Sequence, residues 1–233
     1  MSFKRAFFVF TMKKDFLIIG RGIAGSILSF KLSERGIAHT IVDEPSLSSS
    51  SKVAAGLVNP VVLKRLKLVA GASEYLNAAQ PFYRGLQTKT HNTFLHEVPI
   101  SHIFQSIGEQ NNWNEKASNP AFGPFLGAIE NCESKSLIAP LGNGIMKNTS
   151  WLDTNAFLEF HNATLPTENK IIEQQIAASE LAEFKNEFHH IIICNGHLLR
   201  HFLPEFENLF SPTRGEVMVL ETEADLPQDQ IIH

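Results

Sequence analysis

The chain has 233 residues, 43% hydrophobic and 19% charged, the balance of an ordinary globular protein with ample capacity for a buried core. A net charge of −4 and a pI near 6.2 argue against nucleic-acid binding by phosphate neutralisation, and the ten histidines form no basic stripe. Two cysteines, Cys132 and Cys194, are too few for a disulfide framework or a four-thiolate metal site, and no apolar stretch approaches membrane-spanning length, so a reduced, cytoplasmic setting is expected.

Met1 to Lys14 begins with Lys4 and Arg5 and a short apolar run, Ala6 to Phe10, broken by Thr11 and then by Lys13-Lys14. That run is too short for a secretion signal. Residues 1–11 read as a leader, with Met12 as the start. Phe16-Leu17-Ile18-Ile19 is a continuous apolar run, the pattern of a strand buried on both faces of a parallel sheet. A glycine-rich turn follows. Ile23, Ile27, Leu28 and Leu32 then recur at helical spacing, and Arg35-Gly36 supplies a cationic last turn and a stop. Thr40-Ile41-Val42 reads as the second strand, ending at Asp43, which completes a βαβ unit.

Beyond a serine-rich loop, Ser46 to Ser51, a helix is expected from about Ser73 to Gln87, with Pro81 bending it. Val98 to Phe104, Leu126 to Ile129, Leu137 to Ala139 and Gly144 to Met146 are short apolar runs separated by turn-rich stretches, as in an antiparallel second domain. Asp153 or Thr154 caps a helix to about His161. Ile191-Ile192-Ile193-Cys194, closed by Asn195-Gly196, fits another buried parallel strand, and Val217 to Leu220 begins a further one.

Gly20-Arg21-Gly22-Ile23-Ala24-Gly25 is a G-x-G-x-x-G fingerprint. Its three glycines serve the tight turn, the backbone approach to a pyrophosphate, and the packing of helix on sheet. The helix N-terminus, with Ile23 and Ala24, offers unpaired N–H groups to the phosphates. Asp43, eighteen residues after Gly25, stands where a carboxylate holds ribose hydroxyls, with Glu44 as the alternative if the strand runs one residue longer. An acid there disfavours a 2′-phosphorylated cofactor. FAD and NAD both use such a turn.

The fingerprint, Asp43 and the loop Ser51-Lys52-Val53-Ala54-Ala55-Gly56 together resemble the D-amino-acid oxidase and glycine oxidase family of flavoenzymes. In that family the loop lies beside the flavin and its pyrophosphate, which implicates Ser51, Ala54, Ala55 and Gly56. The likeness extends to Trp151-Leu152-Asp153, to Asn195-Gly196 and to Arg214-Gly215-Glu216, where family members commonly have Ala-Thr-Gly and Arg-Gly-Gln at the last two. Asn59-Pro60 and Arg65 resemble a bacterial subgroup.

The resemblance implies an α/β fold: a Rossmann-like FAD-binding domain (12–70 and 150–205) with an inserted, mostly antiparallel α+β substrate domain (71–149 and 206–233), here incomplete. Family chains continue with further strands and a glycine-containing segment that closes over the flavin. The implied activity is FAD-dependent oxidation of a C–N bond in an amine or amino acid. The rival readings are an NAD-dependent dehydrogenase and a truncated, inactive FAD-binding fragment. Gly196 joins the cofactor residues. Arg65, beside Lys64, and Arg214 are candidates to hold a substrate carboxylate bidentately, against solvated or strand-capping roles. The expected partner is a small-molecule substrate, with neither nucleic acid nor membrane. No metal set is legible in His189, His190, His197 and His201, and Cys194 reads as a packed, inert thiol.

Overall fold

A computed structural model describes residues 14–44, 49–131, 136–213 and 215–233, with the backbone alone at Phe206. They divide into two compact units: the residues up to Val53 with Leu158–Glu216, and Ala54–Phe157 with Val217–His233. The leader and Cys132 lie outside the described residues.

In the first unit, Lys14–Ile19 (β1), Ile23–Ser33 (α1) and His39–Asp43 (β2) form the expected strand–helix–strand unit, and Lys170–Glu173 (β3) and Phe188–Ile193 (β4) extend its sheet. All pairings are parallel, in the order β3-β2-β1-β4, with Leu17 facing both Thr40 and Ile191. The apolar run of β1 is continuous because both faces are covered. Leu17 and Ile19 pack with Val42, Ile176 and Phe188, while Ile18 packs with Ile41 and Leu32 on the other face. Full burial of side chains such as Leu17, Ile18 and Ile41, all 0% exposed, contributes about 1.5–3 kcal/mol each. The chain steps outward from β1 to β2 and β3, then returns to the opposite side of β1 with β4. Strand order therefore reverses at β1, and sheets of this kind bind ligands beyond the C-terminal strand ends at that reversal.

The second unit is mainly antiparallel. Ile231–Ile232, Ile100–Ile103, Asn143–Met146 and Leu126–Glu130 form one sheet in that spatial order, parallel only between the first two. Leu57–Val58, Ser150–Leu152 and Leu95–His96 form another, and Val61–Val62 pairs with Lys67–Leu68. Helices Ala72–Thr90 and Ile107–Ala117 complete the unit. Trp113 is its buried centre. The indole N–H donates to the Gly127 carbonyl at 3.0 Å, and the ring meets Phe104 edge-on. A Cβ at Gly144 would stand 2.4 Å from Cε2 of this ring. Gly144→Ala is therefore expected to push the indole off its site and destabilise the second unit by about 1–3 kcal/mol, read as a lower thermal midpoint. An unchanged midpoint would mean that the ring yields freely.

Several expectations are corrected here. Val217 to Leu220 forms no strand. These residues have no pairing partner among the described residues and are 60–94% exposed, and an extended segment without a ladder is not a strand. Leu137 to Ala139 is irregular, with Ile138 91% exposed ahead of Pro140. The long helix begins at Ala72 and runs to Thr90 with Pro81 inside it. The two compact units divide at Val53/Ala54, Phe157/Leu158 and Glu216/Val217, and Leu57–Val58 and Ser150–Leu152 pair with each other within the second unit.

Candidate functional site

The glycine turn leaves β1 at Gly20, whose φ of +99° lies in the region that favours glycine. A Cβ there would stand 2.6 Å from the Cys194 carbonyl oxygen, so the turn is pressed against the end of β4. The Gly20 N–H donates to the Val42 carbonyl at 2.8 Å, tying the same turn to β2. Gly25 lies where α1 crosses that turn, and a Cβ would stand 2.0 Å from the Gly20 carbonyl oxygen. The third glycine is thus demanded by helix–turn contact.

Helix α1 opens with N–H groups that no preceding turn can satisfy. The Ser51 hydroxyl accepts from the Ile23 amide at 3.1 Å, a cap supplied from the Ser50–Val53 helical turn. Among the described residues none accepts from the Gly22 or Ala24 amide, which leaves donors at the positive end of the helix dipole. Asp43, at the end of β2, accepts from the Arg21 amide at 2.9 Å through Oδ1. Its Oδ2 lies 3.7 Å from the Arg21 guanidinium, which also reaches Glu173 at 3.9 Å. The Arg21 side chain is only 14% exposed and faces these two carboxylates. A carboxylate offers about four lone-pair positions, so Asp43 keeps room for hydroxyl donors. Glu44 is also at the site.

These groups line a cavity of about 740 Å³, inside the usual range for small-molecule sites. Its walls include Gly20 to Ala24, Asp43 and Glu44 on one side. Gln174 to Ala178 follow β3, and Asn195 to Leu199 follow β4. The Gln174–Ala178 segment was not expected. Its anchor, the Gln174 N–H donating to the Asp43 carbonyl at 3.0 Å, depends on β3, whose only sequence signal is Ile171-Ile172. Gly196 is at the wall with φ +59°. Burial raises the pKa of the Cys194 thiol, which keeps it protonated and unreactive.

Ala54, Ala55 and Gly56 belong to the second unit. Gly56 takes φ +70°, and a Cβ would stand 1.9 Å from the Leu152 carbonyl oxygen, so its backbone pairing with β-strand Ser150–Leu152 already requires glycine. Arg65 is exposed in the turn between Val61–Val62 and Lys67–Leu68, also in the second unit. Arg214 lies outside the described residues. Among the described residues no group of three or more His, Cys, Asp or Glu side chains could hold a metal ion, and no helix is long and apolar enough to cross a membrane.

The arrangement suits a dinucleotide: amide donors for a diphosphate at the switch point, a carboxylate one strand away, and a wall of mixed polarity beyond. The chain matches solved structures with similar folds. Glycine oxidase from Geobacillus kaustophilus is 14% identical with a TM-score of 0.63, covering 82% of this chain and 58% of that one. Glycine oxidase from Bacillus cereus is 20% identical with a TM-score of 0.61, covering 83% and 58%. L-amino acid deaminase from Proteus vulgaris, with its specific insertion sequence deleted, is 13% identical with a TM-score of 0.60, covering 84% and 56%. The chain thus spans less than two thirds of these relatives, and such identities speak for the fold alone. A family model described as FAD dependent oxidoreductase matches residues 15–232. FAD is the cofactor of that family, and the diphosphate cradle, Asp43 and the cavity volume fit it. With nearly its whole length matched, the chain belongs to the DAO family of FAD dependent oxidoreductases.

Proposed function

We propose that the first unit is the FAD-binding domain, that the second belongs to the substrate domain, and that the whole protein oxidises a C–N bond of an amine or amino acid. When bound, FAD would supply the two-electron acceptor that oxidation of a C–N bond requires. The chain's own residues bind and orient. The Gly22 and Ala24 amides hold the diphosphate, Ser51 fixes the helix start, and Asp43 grips the ribose of the adenosine half. Arg65 and Arg214 are the proposed carboxylate contacts for an amino-acid substrate, and the reducing cytoplasm is the proposed setting.

The observation that carries this reading is the open amide cradle of α1 beside a carboxylate at the end of β2, inside one cavity. The amine chemistry draws its support from the glycine oxidases and the L-amino acid deaminase among the similar structures. Titration of the purified chain with FAD is expected to quench flavin fluorescence to saturation, and an amine or amino acid added anaerobically to bleach the visible flavin band. Preference for NAD over FAD would overturn the cofactor assignment. Asp43→Asn keeps an acceptor for the Arg21 amide but loses the charge, and FAD should bind about tenfold more weakly at an unchanged thermal midpoint.

A further inference from the structure

The short strand Ile231–Ile232 lies parallel to Ile100–Ile103, with Ile231 facing Ile100 and Ile232 facing Ser101. The next pair in that register is His233 and His102. Its backbone is fixed on both sides: the His233 N–H donates to the Ser101 carbonyl and the Ile103 N–H to the His233 carbonyl, each at 2.9 Å. Side chains in register on neighbouring strands share one face of the sheet. Here the two imidazoles meet, Nδ1 to Nδ1, at 3.0 Å. The ring of His102 stacks on Trp113 at 5.8 Å and 12°, with Phe104 edge-on at 5.6 Å. One imidazole is thus clamped before any ligand arrives, while His233 is exposed and gives access from solvent.

Left to themselves, the two rings join through one proton, carried on one Nδ1 and accepted by the other. With both ring protons on Nε2, both Nδ1 lone pairs are free to converge on one ion. Bonds of about 2.0–2.1 Å from each nitrogen, with the nitrogens 3.0 Å apart, enclose an angle of about 95° at that ion. That is close to the cis angle of a tetragonal site and narrower than the roughly 109° of a tetrahedral zinc site. Imidazole suits copper and nickel. The Glu109 carboxylate, on helix Ile107–Ala117, favours positive charge beside His102. We propose that His102 and His233 chelate a divalent copper or nickel ion, with water in its remaining positions. The pair lies within the second unit and is independent of the FAD reading.

The test titrates Cu(II) into the full chain, free of any affinity tag. One strong site is expected, with quenching of Trp113 fluorescence through the stacked ring and a paramagnetic resonance spectrum split by two nitrogens. Two ligands held on one sheet act as a chelate, so His102→Gln and His233→Gln should each weaken Cu(II) binding about a hundredfold and leave a one-nitrogen spectrum. His233→Gln is the decisive variant, because that side chain is exposed and its loss leaves the packing around Trp113 in place. His96→Gln is the control: its ring stacks on the other tryptophan, Trp151, at 4.8 Å, and the variant should bind Cu(II) as the parent does. A parent without a strong site would overturn the proposal. So would a two-nitrogen site that survives in His233→Gln, or one that is lost in His96→Gln.

Discussion

Gly25→Ala is expected to cost the first unit about 3 kcal/mol or more and to weaken FAD binding over a hundredfold, equivalent to about 2.7 kcal/mol. The added Cβ would stand 2.0 Å from the Gly20 carbonyl oxygen, 3.1 Å from its carbon and 3.4 Å from Ile18 Cγ2. The nearest neighbour is backbone, and it is the backbone of the phosphate turn, so no side-chain rotation relieves the contact. Either α1 lifts from β1, opening the layer held by Ile18, Ile41 and Leu32, or the turn yields and Gly20 loses its place against Cys194. Both displace the Gly22 and Ala24 amides from the cavity wall. Gly36→Ala is the control. It has φ +67° but nothing within 4 Å, so it isolates the backbone penalty of about 1 kcal/mol from the clash. Thermal unfolding and FAD titration of both variants decide the matter. If Gly25→Ala binds FAD like its parent, the close approach of helix to turn is dispensable.

The same contacts explain why the βαβ unit could be read from residues alone. Each glycine of the fingerprint, the apolar run of β1 and the acid ending β2 answers a local demand, and local demands leave local marks. What was not legible depends on partners far along the chain. Ser51 caps α1 across 28 positions, and β3 is a strand only because β2 stands beside it. Its lone Ile171-Ile172 pair is too short a signal, so the Gln174–Ala178 wall that follows was missed as well. Val217 to Leu220 shows the reverse: strand-forming residues with no ladder to join. Helix Ile107–Ala117 was missed although its start is marked. Ser106 accepts from the Glu109 amide at 3.2 Å while Glu109 accepts from the Gln105 amide at 2.8 Å, a capping arrangement written as Ser-x-x-Glu. In the loop after β2, Ser51 serves α1 while Gly56 serves the Ser150–Leu152 strand, so near neighbours there answer to different local demands.

Acidification should destabilise the first unit through His161, and the sign follows from where its proton is lost. His161 is 0% exposed, neither ring nitrogen makes a hydrogen bond of ordinary geometry, and its ring meets Phe30 edge-on at 5.0 Å. Burial lowers its pKa from 6.5 to about 4, the Asn162 side chain pulling upward and Arg21 and His39 pushing further down. The unfolded chain takes a proton near pH 6.5 that the folded chain refuses until about pH 4. Between those values the unfolded state binds more protons, so stability is held above pH 6.5 and drains as pH falls toward 4. At about 1.4 kcal/mol per pH unit the loss reaches about 3 kcal/mol, large against a typical total of about 5–15 kcal/mol. His39 is also depressed by burial, against an opposing hydrogen bond with the Ile37 carbonyl, but Ser29 lies 2.7 Å from its Nε2 and its hydroxyl can turn to accept once that nitrogen is protonated. His161 has only the Asn162 side chain to favour its charged form, and burial outweighs it. His161→Leu, of similar volume, should therefore match or exceed the parent at pH 7 and retain most of its midpoint at pH 5. Urea unfolding at a series of pH values reads this directly: parallel stability curves for parent and variant across that window would assign the acid sensitivity to other groups.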